Sequence, residues 1–430
     1  MDATSTIGAD TDELLDASAD QLESPDESVA SSGEAFLNKL SKAILLALGI
    51  AVLMAAVVGA GVGDNQTADG EGARLGGDFA AFYSAGSIVW SGDIDSLYDP
   101  ARQQAAQDEL GLNGYLAFAY PPHVAIAYSP LGALDFQVAY VIHTIVMASA
   151  FLLAVHLLRK PVPQIDRWRW PLLAASFTFY PLITAVGGGQ NASLSVLLLA
   201  VIWRALHDDR EWLAGLAIGL LIFRPQYAIP MLGLVGLSRH WRAVGTAIAT
   251  IATTWIVTAA ARGADWFGDW WEQIGPFVER DAEVNASNSI SFLGFLQAVV
   301  SADSLPAVAA GVALSGTVVL TLMYFWANPA KFSLAQRMGA AAIGVVLISP
   351  HTMFYDSSLM LIAGAALISE SLTVPVRALL VVWVGALTHA FSGGLGATPL
   401  ALVVAVTFVA WVWHLLSTTS NDQQLVGGAA

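Results

Sequence analysis

The chain has 430 residues, of which 56% are hydrophobic and 12% charged, with a formal charge of −16 and no cysteine. Soluble domains carry about 25% charged residues, so this composition excludes a soluble globular protein. The lack of cysteine excludes disulfides, thiolate catalysis and cysteine-ligated metals.

The first 36 residues contain ten Asp and Glu and no Lys or Arg. Such a segment cannot bury enough apolar surface to offset its ordering entropy, and a signal peptide requires a basic start. Residues 1–36 are therefore expected to be an acidic, disordered cytoplasmic tail. Apolar runs follow at 39–61, 137–158, 170–186, 192–206, 211–223, 225–238, 243–261, 306–327, 336–349, 357–371, 376–391 and 399–416. The pair 211–223 and 225–238 reads as one helix broken at Arg224–Pro225, because proline interrupts helical hydrogen bonding. Broken helices are tolerated in a membrane where they line a cavity. The expected fold is all-α: a polytopic membrane protein with roughly 11–13 transmembrane helices, counting broken or re-entrant ones. It fills residues 37–418, and residues 419–430 form a short cytoplasmic tail.

Positive charge sets the orientation. With the acidic tail inside, thirteen of the eighteen basic residues fall in inside loops: Lys39, Lys42, Arg159, Lys160, Arg167, Arg169, Arg204, Arg210, Arg239, Arg242, Lys331, Arg337 and Arg377. Arg74, Arg102, Arg262 and Arg280 fall outside, and Arg224 sits at the helix break. Both termini are then cytoplasmic. Two long extracytoplasmic loops, about 62–136 and 262–305, are rich in aromatic and acidic residues, as in "DWFGDWWEQIGPF". Such aromatic density suits the headgroup layer. Within the first of them, 121–136 is apolar but short and proline-broken, and is expected to lie in the interface or re-enter it.

In this topology four polar islands interrupt apolar sequence on the outer side. They are Asp78 with Tyr83 and Tyr98–Asp99; "FAYPPH", ending in His123; "GGGQN", with Gln190 and Asn191; and "SPHTMFYD", with His351, Tyr355 and Asp356. Arg224 joins them from the helix break. Ionisable residues at membrane depth are costly and usually functional, and their shared side suggests one outward-facing polar cavity. Each has a plainer alternative. Asp78 could cap the helix that starts at Phe79, Arg224 could snorkel to the interface, His351 could be structural, and "GGGQN" could be a turn. The "DID" at Asp93–Asp95 is weighed as loop sequence rather than a metal-binding acid pair. No His or carboxylate spacing makes a zinc site.

Taken in order, "GGDFAAFYSAG", "LYDP", "AYPPHVAIAYSPLGAL", "GGGQN", "FRPQYAIPMLGL" before "SRHWRA", and "SPHTMFYD" resemble glycosyltransferase family 87 over about residues 40–415. That family comprises membrane-embedded GT-C enzymes, mannosyl- and arabinofuranosyltransferases among them, that use polyprenyl-phosphate sugars. The resemblance implies a GT-C-type fold in the cell (inner) membrane with an extracytoplasmic active site. It implies a hexosyl or pentosyl transfer, mannose favoured, from a polyprenyl-phosphate sugar to a lipid-linked or glycan acceptor. Asp78 corresponds to the family's catalytic base. Arg224 stands where the family usually has Lys, and with His351 it is expected to bind the donor phosphate. Tyr83, Tyr120, His123, Gln190, Asn191, Tyr355 and Asp356 are expected to line the substrate site. The donor brings its own leaving group, so no nucleotide-binding domain is needed; no cofactor and no nucleic-acid partner are expected, no residue is assigned to a metal, and dependence on a divalent metal is left open. One base on the acceptor side suffices for direct displacement with inversion. The rival reading is a transporter or lipid flippase, which would also have broken helices and a polar cavity.

Overall fold

The computed structural model describes residues 33–49, 77–110, 115–301, 304–370 and 375–427. Nearly all of the acidic tail lies outside the described residues, as do the second half of the first apolar run and the loop up to residue 76. Among the described residues the secondary structure is helical apart from one isolated bridge, Ser289 with Met353. The protein is an all-α polytopic membrane protein. Five helices are long and apolar enough to cross a bilayer: Phe136–Leu158, Trp241–Arg262, Leu305–Ala327, Arg377–Leu395 and Leu400–Ser417. The bent pair Arg169–Phe177 and Tyr180–Gly187 makes a sixth if read as one span, and shorter apolar helices accompany them.

Phe136–Leu158 shows how sequence makes such a span. Its 23 residues rise roughly 35 Å at about 1.5 Å each. One face buries Ala139, His143, Met147, Ala150, Ala154 and Leu158 at helical spacing. The opposite face leaves Val138, Ile142, Ile145, Leu152 and Leu153 exposed, which only a lipid solvent permits. Leu334–Ile348 is the reverse case. Every residue from Arg337 to Leu347 is buried, because this helix packs against Met360–Glu370, Leu305–Ala327 and Leu400–Gly427. Ser333 and Gln336 close its N-terminus as a reciprocal capping box.

Two breaks shape the bundle. Glu211–Leu220 tightens into a 3-10 turn, Leu221–Phe223, and Arg224 then leaves the helix at φ −125°, ψ 80° before Pro225 starts Pro225–Leu237. Proline is well suited to that first helical position, where no donor is needed. The run 170–186, expected to be continuous, is instead bent by 65°. Phe179 turns extended and the helix restarts at Tyr180 with Pro181 in its first turn, so an apolar run long enough for one helix is divided by a proline near its middle.

Between residues 77 and 135, the described residues form short helices. Phe79–Trp90 lies so close to Pro122–Gly132 that a Cβ on Gly86 would meet the Tyr128 carbonyl oxygen at 2.6 Å. Phe79, Phe82, Tyr83, Tyr98, Phe118, Tyr128 and Tyr140 form an aromatic core there. Both "DID" acids are ion-paired: Asp93 takes Arg102 at 2.9 Å, and Asp95 shares Arg262 with Asp269 of the helix Trp266–Val284. Hydrogen bonds from Ser96 and Arg102 hold the Asp93 carboxyl below the usual carboxylate range. The opposite ends of the helices carry a different knot, in which Asp208 accepts from Lys160, Arg204 and His207. Those three donors hold its carboxyl well below the usual range.

Candidate active site

The site is organised by the turn between Tyr180–Gly187 and Ala192–His207. Gly188 closes the first helix with a bond to the Thr184 carbonyl at 2.7 Å, and Gln190 N–H reaches back to Ala185 at 2.8 Å. Between them Gly189 sits at φ +77°, where a Cβ would also lie 2.4 Å from the Cβ of Phe79. Only glycine satisfies both conditions. The turn therefore docks directly on the residues that begin the helix Phe79–Trp90. The Asp78 N–H donates to the Gly188 carbonyl at 3.1 Å, and the Tyr140 hydroxyl donates to the Gly187 carbonyl at 2.5 Å.

Asp78 occupies the cap position of that helix, but its own backbone is already helical and its side chain makes no cap hydrogen bond. The half-buried carboxylate instead accepts from the Gln190 amide. Capping does not account for this acid. The neighbouring residue, Asn191, faces the other centre of charge: its carbonyl oxygen accepts from Arg224 Nε at 3.0 Å and Nη2 at 2.8 Å. Two adjacent side chains thus hold an acid and a cation from distant parts of the chain.

Arg224 does not snorkel. It is 2% exposed, and its Nη1 is ion-paired with Asp356, also 2% exposed. Nη2 also approaches the Tyr120 hydroxyl at 3.4 Å, and the guanidinium lies over the Tyr227 ring. Asp356 Oδ2 accepts from the Met353 N–H at 3.1 Å, which folds the chain back just before the acid. Tyr120 and Tyr355 stand within electrostatic reach of Asp78, Asp356 and Arg224. Burial pushes both phenols up; at Tyr355 the Asp78 and Asp356 carboxylates add to it, and at Tyr120 Arg224 opposes it.

The sequence-predicted residues do not all share this network. Asp78, Tyr120, Gln190, Asn191, Arg224, Tyr355 and Asp356 come together. The His351 ring packs edge-on against Phe277 of the helix Trp266–Val284, with centroids 5.4 Å apart. The Tyr83 hydroxyl is committed to the Leu134 carbonyl at 2.6 Å and its ring to Phe136, so it supports the aromatic core. His123 keeps both ring nitrogens buried without a hydrogen-bond partner. Sequence reasoning missed Tyr140 and His143. His143 lies 4.8 Å from the Phe79 ring and 3.3 Å from the Tyr128 hydroxyl, beneath the same turn. The signal was two polar residues three apart, hence on one helix face, inside an apolar span.

A family model for glycosyltransferase family 87 matches residues 118–350, more than half of the chain. This chain belongs to glycosyltransferase family 87. The match includes Tyr120, His123, Gln190, Asn191 and Arg224, and lies between Asp78 on one side and His351, Tyr355 and Asp356 on the other. Among characterised proteins, this family 87 chain is 29% identical over 152 residues to a polyprenol-phosphate-mannose-dependent α-(1-2)-phosphatidylinositol pentamannoside mannosyltransferase of Mycolicibacterium smegmatis, covering 34% of the chain and 36% of that protein. It is 29% identical over 149 residues to an α-(1->3)-arabinofuranosyltransferase of Mycobacterium tuberculosis, covering 34% of each. The chain thus spans about a third of the length of the curated relatives it matches.

Proposed function

We propose that this family 87 chain is a membrane glycosyltransferase. It transfers a glycosyl unit, mannose before arabinofuranose, from a polyprenyl-phosphate sugar to a lipid-linked or glycan acceptor. The observation that carries this reading is the junction at Gln190–Asn191, which brings the Asp78 carboxylate and the buried Arg224 cation to one turn. The name of the mannosyltransferase relative, which is polyprenol-phosphate-mannose-dependent, supports the donor class. In a single displacement, Asp78 accepts the proton of the acceptor hydroxyl as its oxygen attacks the anomeric carbon. The bond from that carbon to the donor phosphate oxygen breaks, and polyprenyl phosphate leaves with the electron pair. Inversion follows, because no enzyme nucleophile intervenes.

Asp78 is a better base than Asp356. A proton placed on Asp356 would dissolve its buried ion pair with Arg224, whereas a proton on Asp78 leaves that pair intact. Arg224 and His351 are assigned to the departing phosphate, as donors to developing negative charge. Because Arg224 is already paired, the phosphate has to share its guanidinium with Asp356. The site is assigned to the extracytoplasmic face, with both termini cytoplasmic, from the bias of basic residues.

The test is transfer of radiolabelled sugar from polyprenyl-phosphate mannose to a glycolipid acceptor extract by the purified chain in detergent. Transfer without any membrane gradient is expected. Absence of transfer, together with gradient-dependent or lipid-scrambling activity after reconstitution into vesicles, would replace this reading with a transporter or flippase.

A further inference from the structure

We propose that Gln190 is a positioning residue for the base, orienting the Asp78 carboxylate toward the acceptor. The inference rests on the reading of Asp78 given above. Gln190 is 6% exposed, and its amide nitrogen donates to Asp78 Oδ2. Its carbonyl oxygen is buried without a partner. Turning the amide over would bring that oxygen against the carboxylate, so the arrangement satisfies Asp78 at the expense of Gln190.

The backbone around Gln190 is held on every side. Tyr140 grips the Gly187 carbonyl, the Asp78 N–H grips Gly188, Gly189 abuts Phe79, and Asn191 is anchored to Arg224. The amide therefore approaches Asp78 from a rigid base, and a rigid donor fixes the plane of the carboxylate it meets. Orientation of this kind matters because the reacting atoms must lie near attack distance, and displacements of about 1 Å can cost about 100-fold in rate.

Among the described residues, the charged and titratable groups that face this pair include Tyr355 and Tyr120, the Arg224–Asp356 ion pair behind Asn191, and His143 beneath the turn. Among them Gln190 contributes a hydrogen bond to the charged form of the carboxylate, which favours that form. Losing it disfavours the ionised base, so the acid limb of the rate profile moves to higher pH.

The experiment measures sugar transfer against pH for Gln190→Ala, for the isosteric Gln190→Glu, for Asp78→Asn and for Asp78→Asn combined with Gln190→Ala, all as folded protein in detergent. Gln190→Ala is expected to lower kcat by about 10- to 100-fold, leave donor KM unchanged and raise the acid limb. Gln190→Glu, which places a second carboxyl against Asp78, is expected to raise that limb further. In the Asp78→Asn background the Gln190 change should cost almost nothing more, because the two residues act as a unit. An unmoved acid limb in both single variants, or independent losses that multiply in the double variant, would overturn the assignment even with Asp78→Asn inactive. If Asp78→Asn keeps the wild-type rate, the reading of Asp78 itself fails, and that outcome is separately visible.

Discussion

At the scale of single residues, the site contrasts two carboxylates with opposite duties. Asp78 accepts from the Gln190 amide and is the proposed base, while Asp356 neutralises a buried guanidinium. Asp78→Asn preserves shape and can still accept a hydrogen bond, so folding and donor binding should survive while turnover falls by roughly 100-fold or more. Transfer assays with matched donor-binding measurements check this, and a near-wild-type rate would send the search for a base elsewhere. Asp356→Asn should act on stability first, since removing one partner of a buried ion pair typically costs about 3–5 kcal/mol. Combining it with Arg224→Gln should recover much of that loss, because a neutral pair no longer strands a charge. Thermal unfolding in detergent distinguishes the outcomes: a double variant less stable than Asp356→Asn alone would show that the pair is not the source of the cost. The chemistry-bearing residue types were legible because they interrupt apolar sequence. Their partners were not, since nothing local to "SPHTMFYD" indicates that its acid belongs to an arginine 132 positions earlier.

At the scale of elements, the turn after Tyr180–Gly187 decides whether the two halves of the site meet. Gly189→Ala forces a side chain into φ +77° and against Phe79, whereas Gly187 has nothing within 4 Å of an added Cβ. The first substitution should therefore separate Asp78 from Gln190 and abolish most activity, and Gly187→Ala should be close to silent. Comparison of transfer rates and unfolding temperatures for the two variants checks this; equal effects would mean that the turn tolerates rearrangement. "GGGQN" was readable as a turn, but not which glycine is indispensable, because that depends on a helix more than a hundred residues away. The break at Arg224–Pro225 was readable, as proline acts on its own helix. The bend at Phe179 was not, although Pro181 was visible, because the continuous apolar run of 170–186 suggested a single helix. Tyr140 and His143 escaped for a related reason: hydropathy averages over a span and conceals two polar groups on one face.

At the scale of the whole molecule, the described helices leave apolar faces for lipid and converge their polar groups on one end, with the Asp208 knot at the opposite ends. The absence of cysteine makes the orientation directly testable. Ser91→Cys, at the far end of the helix that follows Asp78, is expected to react with a membrane-impermeant maleimide from outside the cell, and Lys331→Cys only after the membrane is opened. Labelling of both from one side would overturn the arrangement. The all-α polytopic class was legible from composition and run length alone, since a bilayer leaves a chain few other ways to satisfy its backbone. The buried ion pair has a further consequence, for the order of assembly. Synthesis reaches Arg224 well before Asp356 exists, when only Asn191 and Tyr120 are available to accept from it. Its charge is cancelled only once the late helices arrive, so a chain cut short before residue 356 carries an uncompensated cation among apolar segments, and the finished chain does not.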